Sequence, residues 1–141
     1  MASETWFGQL ETNVFNKFKK LMQAHNNSKV NGANYTSSGV DTSDLSLPTV
    51  YLHELAGVEH GMTLTNTTVN AMLCNIQIDV YAGSKSDCAL ITRVALSMMK
   101  SMRFNAVAMP VITNIDTDVI HSITRFRRVV GASDIESGLI T

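Results

Sequence analysis

The sequence predicts an α+β, two-layer fold: an αββαββ chain whose four-stranded, mainly antiparallel sheet carries two helices on one face. Three observations lead there. Residues 70–81 alternate strictly between apolar and polar side chains, the mark of a strand with one face on a core. Two other stretches repeat apolar residues every three or four positions, the helical spacing. A third extended run is broken by Pro110, which has no N–H to give to a ladder and so belongs at a sheet edge.

The elements follow in order. Phe7, Leu10, Val14, Phe18 and Leu21 form one apolar stripe on a helix of about Glu4 to Gln23. Lys17, Lys19 and Lys20 near its C-terminus suit the helix dipole. Residues 26–46 are rich in Asn, Ser, Thr, Gly and Asp and read as a long loop. Such a loop is long for a compact domain, so either it is mobile or contacts from outside the subunit order it. Thr49 to Leu55 is a short strand. Residues 56–68, with Gly57 and Gly61 as breakers, form a second long connection, in which Met62 and Leu64 alternate weakly as in an extended arm.

In the strand from Asn70 to Tyr81, Met72, Cys74, Ile76, Ile78 and Val80 take one face. Leu73, Asn75, Gln77, Asp79 and Tyr81 take the other. Gly83 stops the strand, and Ser84 or Ser86 caps a helix buried through Ile91, Val94, Ala95, Met98 and Met102. Ala106 to Ile112 is the proline-interrupted edge strand. Asn114 to Thr117 turns the chain, Asp118 to Val130 is the last strand, and Asp134 to Thr141 is a short tail. With the third strand at an edge, the sheet order becomes 1-2-4-3. The second and third strands are then parallel through a right-handed helical crossover, and every neighbouring pair is antiparallel.

Composition narrows the functional classes. The 141 residues suit one domain, and 45% apolar content suits a globular chain with a real core. Eleven basic and twelve acidic residues leave a net charge of −1, so no global basic field holds nucleic acid. Cys74 and Cys88 fall inside a strand pattern and a helix pattern, where free cysteine acts as a small hydrophobe. No signal-peptide pattern opens the chain, and no apolar run approaches the ~18 residues of a membrane span. The cytoplasm is the expected place of folding.

No constellation of catalytic groups stands out, and the chain reads as a non-enzyme without cofactor or metal. His53, Glu54 and His60 lack the spacing of a zinc-protease helix, since Gly57 occupies the position of the second histidine. No Gly-x-Ser-x-Gly elbow and no phosphate-cradling loop occurs. Arg125, Arg127 and Arg128 are the sharpest charge cluster, the first two sharing a strand face. They read either as a solvated, salt-bridged face or as a subunit contact or lining for an anionic polymer. Leu73, Tyr81, Ile123 and Val129 make the outer sheet face more apolar than a lone monomer leaves in water. This is the pattern of a small building block that works by assembling.

Four runs in this order resemble the tail-terminator proteins of long-tailed bacteriophages, also called tail-completion or head–tail joining proteins. They are Pro48-Thr49-Val50-Tyr51-Leu52-His53-Glu54-Leu55-Ala56-Gly57-Val58-Glu59, the strand Asn70 to Tyr81, Met98-Met99-Lys100-Ser101-Met102-Arg103-Phe104, and Arg125-Phe126-Arg127-Arg128-Val129-Val130-Gly131-Ala132. The resemblance covers roughly Leu47 to Asp134. It implies a homohexameric ring in the virion that caps the head-proximal end of the tail tube. Its implied partners are the tail tube protein and the head's connector or stopper, with DNA passing through the hole and no membrane involved. Alternatives are another neck ring such as a stopper, or a small-ligand-binding α+β domain. Candidate contact residues are Glu54, Glu59, Met62, Leu64, Leu73, Asp79, Tyr81, Ile123, Arg125 and Arg127. Asp79 is expected to match one of Arg125 and Arg127. The other would reach an acid on a neighbour, with Glu54, Glu59 and Asp118 as candidates, or face the DNA path.

Overall fold

A computed structural model describes residues 9–39, 46–62, 69–116 and 118–131. The elements are α1 (Leu10–Gln23), α2 (Ser28–Asn31), β1 (Asn34–Thr36), β2 (Thr49–Met62), β3 (Val69–Ala82), α3 (Lys85–Ser101), β4 (Asn105–Asp116) and β5 (Val119–Gly131). The five strands make one mixed sheet in the order β1-β2-β3-β5-β4.

The expected αββαββ class is therefore corrected. The described residues contain three helices and five strands, not two and four. The additions come from the stretch read as loop, because α2 and β1 lie within 26–46. Both are too short to show a period. Asn27 caps α2 by accepting a hydrogen bond from the Lys29 N–H. β1 is three residues long and pairs with β2 in parallel, Tyr35 opposite Val50, so not every neighbouring pair is antiparallel. The four long strands do stand in the order first, second, fourth, third. β3 and β4 both run antiparallel to β5 between them, and so parallel to each other.

The second connection is also more regular than a loop. β2 continues to Met62 and pairs with β3 as far as Met62 opposite Val69, after one bulge between Leu55 and Val58. The bulge adds one residue to β2 between its pairs Leu55–Asn75 and Val58–Leu73 without losing the ladder. The expected start of the first helix at Glu4, the segment 40–45, Leu64, Thr117 and the tail from Asp134 lie outside the described residues.

One core joins the helices to one face of the sheet. Leu10, Val14, Phe18 and Met22 of α1 and Cys88, Ile91, Ala95 and Met99 of α3 pack with Val50, Leu52, Cys74, Ile76, Ile78, Val80, Phe126 and Val130. Met22 takes the fully buried place expected for Leu21, and Met99 that expected for Met98. Each fully buried large apolar side chain contributes roughly 1.5–3 kcal/mol of transfer free energy. Ser84 caps α3 by accepting from the Asp87 N–H at 3.2 Å, and the Asp87 carboxylate meets Lys29 of α2 at 2.6 Å. Inside, the Thr92 and Ser122 hydroxyls bond each other at 2.6 Å, fastening α3 to β5.

Candidate functional site: the helix-free sheet face

The strand period sends alternate residues of β2, β3 and β5 away from the helices. Cross-strand register decides which of them meet. Thr49, Tyr81 and His121 lie in one row, and Tyr51, Asp79 and Ile123 in the next. His53, Gln77 and Arg125 form a third row, and Leu55, Asn75 and Arg127 a fourth. Beyond them Leu73 stands opposite Val129.

A polar network occupies the centre. Asp79 is only 7% exposed although no helix covers it. Its Oδ1 accepts from Gln77 Nε2 at 2.8 Å, and Gln77 Oε1 accepts from Arg125 Nε at 3.0 Å. His121 brings Nε2 to 3.3 Å from Asp79 Oδ2, in an orientation that makes no hydrogen bond. The His121 ring stacks on Tyr81 with centroids 4.4 Å apart, and His53 stacks on Tyr51 at the same distance. Burial, and then the Asp79 charge beside it, pushes the Tyr81 hydroxyl above its usual range. That hydroxyl is neutral at any physiological pH. The arrangement holds a carboxylate with an amide and aromatic rings. No group of three metal-ligating side chains occurs among the described residues.

The sequence expectations fare unevenly here. Asp79, Arg125 and Arg127 do share this face, but the register puts Asp79 opposite Ile123 and the arginines opposite Gln77 and Asn75. Gln77, absent from the candidates, is the group that links Asp79 to Arg125. Its place in the alternating strand next to Asp79 was the only available signal. Tyr81 is 7% exposed and Ile123 and Leu73 are half-buried, so Val129, at 40%, is the large apolar residue most open on β3 and β5, and Val111 of β4, opposite Ile123, is 60% exposed. Arg127 is exposed. Glu54 is opposite Ile76 and shares the Val50–Leu52 face that packs on the helices. Burial raises its carboxyl pKa, and Glu11 of α1 raises it further. It therefore faces α1 and not a neighbour. Glu59 and Met62 sit on β2 opposite Met72 and Val69. Asp118 is exposed in the turn between β4 and β5.

Alternation already points Arg128 away from Arg125 and Arg127 and buries Cys74, but not what each meets. Arg128 turns to the core side, where its Nη1 donates to the Met102 carbonyl at 2.9 Å and closes the end of α3. Cys74, opposite Arg128, has its thiol pushed up to about 12 by burial and by Glu54, against the lowering effect of Arg128. An open groove of about 240 Å³ lies where the end of α1 meets α3, lined by His25, Arg93, Val94, Ser97 and Met98. No helix among the described residues is long and apolar enough to cross a membrane. No protein-family model matches the chain, and no curated protein matches it.

Proposed function

We propose that this chain is a structural virion protein, a subunit of a homo-oligomeric ring of six copies, at the head-proximal end of a phage tail tube. The ring joins the tube to the head connector, and DNA passes through its hole without sequence-specific binding. The observation that carries the assembling part is the helix-free sheet face. It sets Leu73 and Val129 beside the exposed Arg127, around a network that holds its own charges in place. A face of this kind, apolar at one end and rigid at its centre, suits burial against another protein. The resemblance of the four runs to tail terminators supports the phage and ring parts.

Electron microscopy of the purified full chain, alone and mixed with tail tubes, tests this reading. Closed rings of about six copies that seat on one end of the tubes are expected. Chains that neither close nor bind the tube would refute it. Val129→Glu should weaken that assembly while leaving the fold intact, since the side chain is already 40% exposed.

A further inference from the structure

β4 carries an exposed apolar pattern at the rim of the sheet that the ring reading does not use, although Arg127 beside it belongs to both. β4 is a terminal strand of the sheet. It is also the most apolar stretch of the described surface, with Val107 53% exposed, Val111 60% and Ile115 44%. They are spaced symmetrically along the chain, Val107 and Ile115 each four residues from Val111, which lies opposite Ile123, while Val107 and Ile115 each fall inside a register shift on either side of it. The charges at the two ends are opposite. Exposed Arg103 precedes the strand, with Arg127 next to it on β5, opposite Asn105. Exposed Asp118 follows it in the β4–β5 turn. Neither Arg103, Arg127 nor Asp118 has an ion-pair partner among the described residues. They cannot pair within one subunit. The strand β4 separates Arg103 from Asp118, and it spans the eight steps of β5 from Arg127, opposite Asn105, to Val119, opposite Asp116, roughly 25–30 Å at ~3.3 Å per step.

We propose that the β4 edge docks on the same edge of a second copy of this chain, antiparallel, about a two-fold axis near Val111. Turning the edge end over end places Val111 on Val111 and Val107 on Ile115. It also brings Asp118 of each copy to the Arg103 end of the other. One operation thus covers all three exposed apolar residues and matches both charged ends, which is the self-complementarity an isologous contact requires. A head-to-tail contact through the charges alone would leave the apolar edge in water. Side chains carry the contact more than a continuous ladder does. Pro110 lacks a donor at the centre, and register shifts at 106–108, 108–111 and 114–116 bend the strand away from flat pairing.

This contact goes beyond the tail-ring reading and does not rest on it. Light scattering and sedimentation of the full chain test it between about 1 and 100 µM. Pairing through this edge is expected, seen as a two-copy species where single chains are present or as two joined copies where rings form, and weakened as salt screens its charged ends. Val111→Asp should abolish it, and far-ultraviolet circular dichroism should show an unchanged fold because the site is exposed. Asp118→Arg and Arg103→Glu should each weaken pairing at least about ten-fold, because each change makes two attractive contacts repulsive. Mixing these two single variants should restore a heterodimer. A wild-type chain that stays monomeric throughout would overturn the proposal. So would a two-copy species unmoved by Val111→Asp, or no rescue on mixing. Six-fold rings indifferent to all three substitutions would overturn this contact while leaving the ring reading standing.

Discussion

Gln77→Glu probes the network on the open sheet face with almost no change of shape. The Gln77 amide donates to Asp79 at 2.8 Å and accepts from Arg125 at 3.0 Å. Glutamate keeps the second contact and turns the first into two carboxylates. Like charges about 4 Å apart repel by about 4 kcal/mol at an effective dielectric of about 20. The half-buried side chain can swing toward water, and exposed Arg125 offsets at most about 1 kcal/mol. A net destabilisation of about 1–3 kcal/mol at pH 7 is expected, a fall of roughly 3–12 °C in Tm for a chain of this size. The sign with pH follows from linkage. The crowded acid has its folded pKa raised above the unfolded value of about 4.3. The deficit is absent below that value, grows as pH rises through the folded pKa, and is complete above it. Thermal unfolding followed by circular dichroism from pH 3.5 to 8 measures this. Gln77→Leu, which removes the bonds without adding charge, should show a deficit that barely changes with pH. A glutamate variant as stable as the wild type at pH 7, or a deficit equal at pH 3.5 and 8, would refute the assignment of Gln77 as the bridge.

Three further outcomes are expected. Glu54→Gln should stabilise the fold near neutral pH and not in acid. The folded pKa of Glu54 is raised by burial and by Glu11, so its cost appears as pH rises above the unfolded value; paired denaturant titrations at pH 4 and 7.5 check this. Cys74, fully buried with its thiol pushed up to about 12, and buried Cys88 should resist alkylation in the native state at pH 8. Mass spectrometry should show both modified only after unfolding. Thr92→Val should cost about 1–3 kcal/mol by stranding the buried Ser122 hydroxyl. The double variant with Ser122→Ala should cost less than the sum of the singles, a coupling of about 1 kcal/mol in chemical denaturation.

The long elements were legible because their signals are local. The alternation from Met72 to Val80, the α1 stripe and the Ser84 cap each lie within a few residues of chain. Pro110 alone placed β4 at an edge, since a missing donor is a property of the residue itself. Period and propensity could not show α2 and β1. Three or four residues hold no period, and β1 exists only because β2 offers it a parallel edge. Which way Glu54 faces follows from the register of β2 and the seat of α1, both long-range. The site was half legible for the same reason. Alternation put Asp79, Arg125 and Arg127 on one face. Alternation also turned Arg128 to the other face, while a cross-strand pairing that no local pattern encodes set Asp79 opposite Ile123, gave Gln77 the bridging role and chose the end of α3 as the partner of Arg128. The sequence by itself determined which residues could share a face. Only the tertiary structure decided which of them touch, because contact between strands depends on register, and register is settled by the whole core at once.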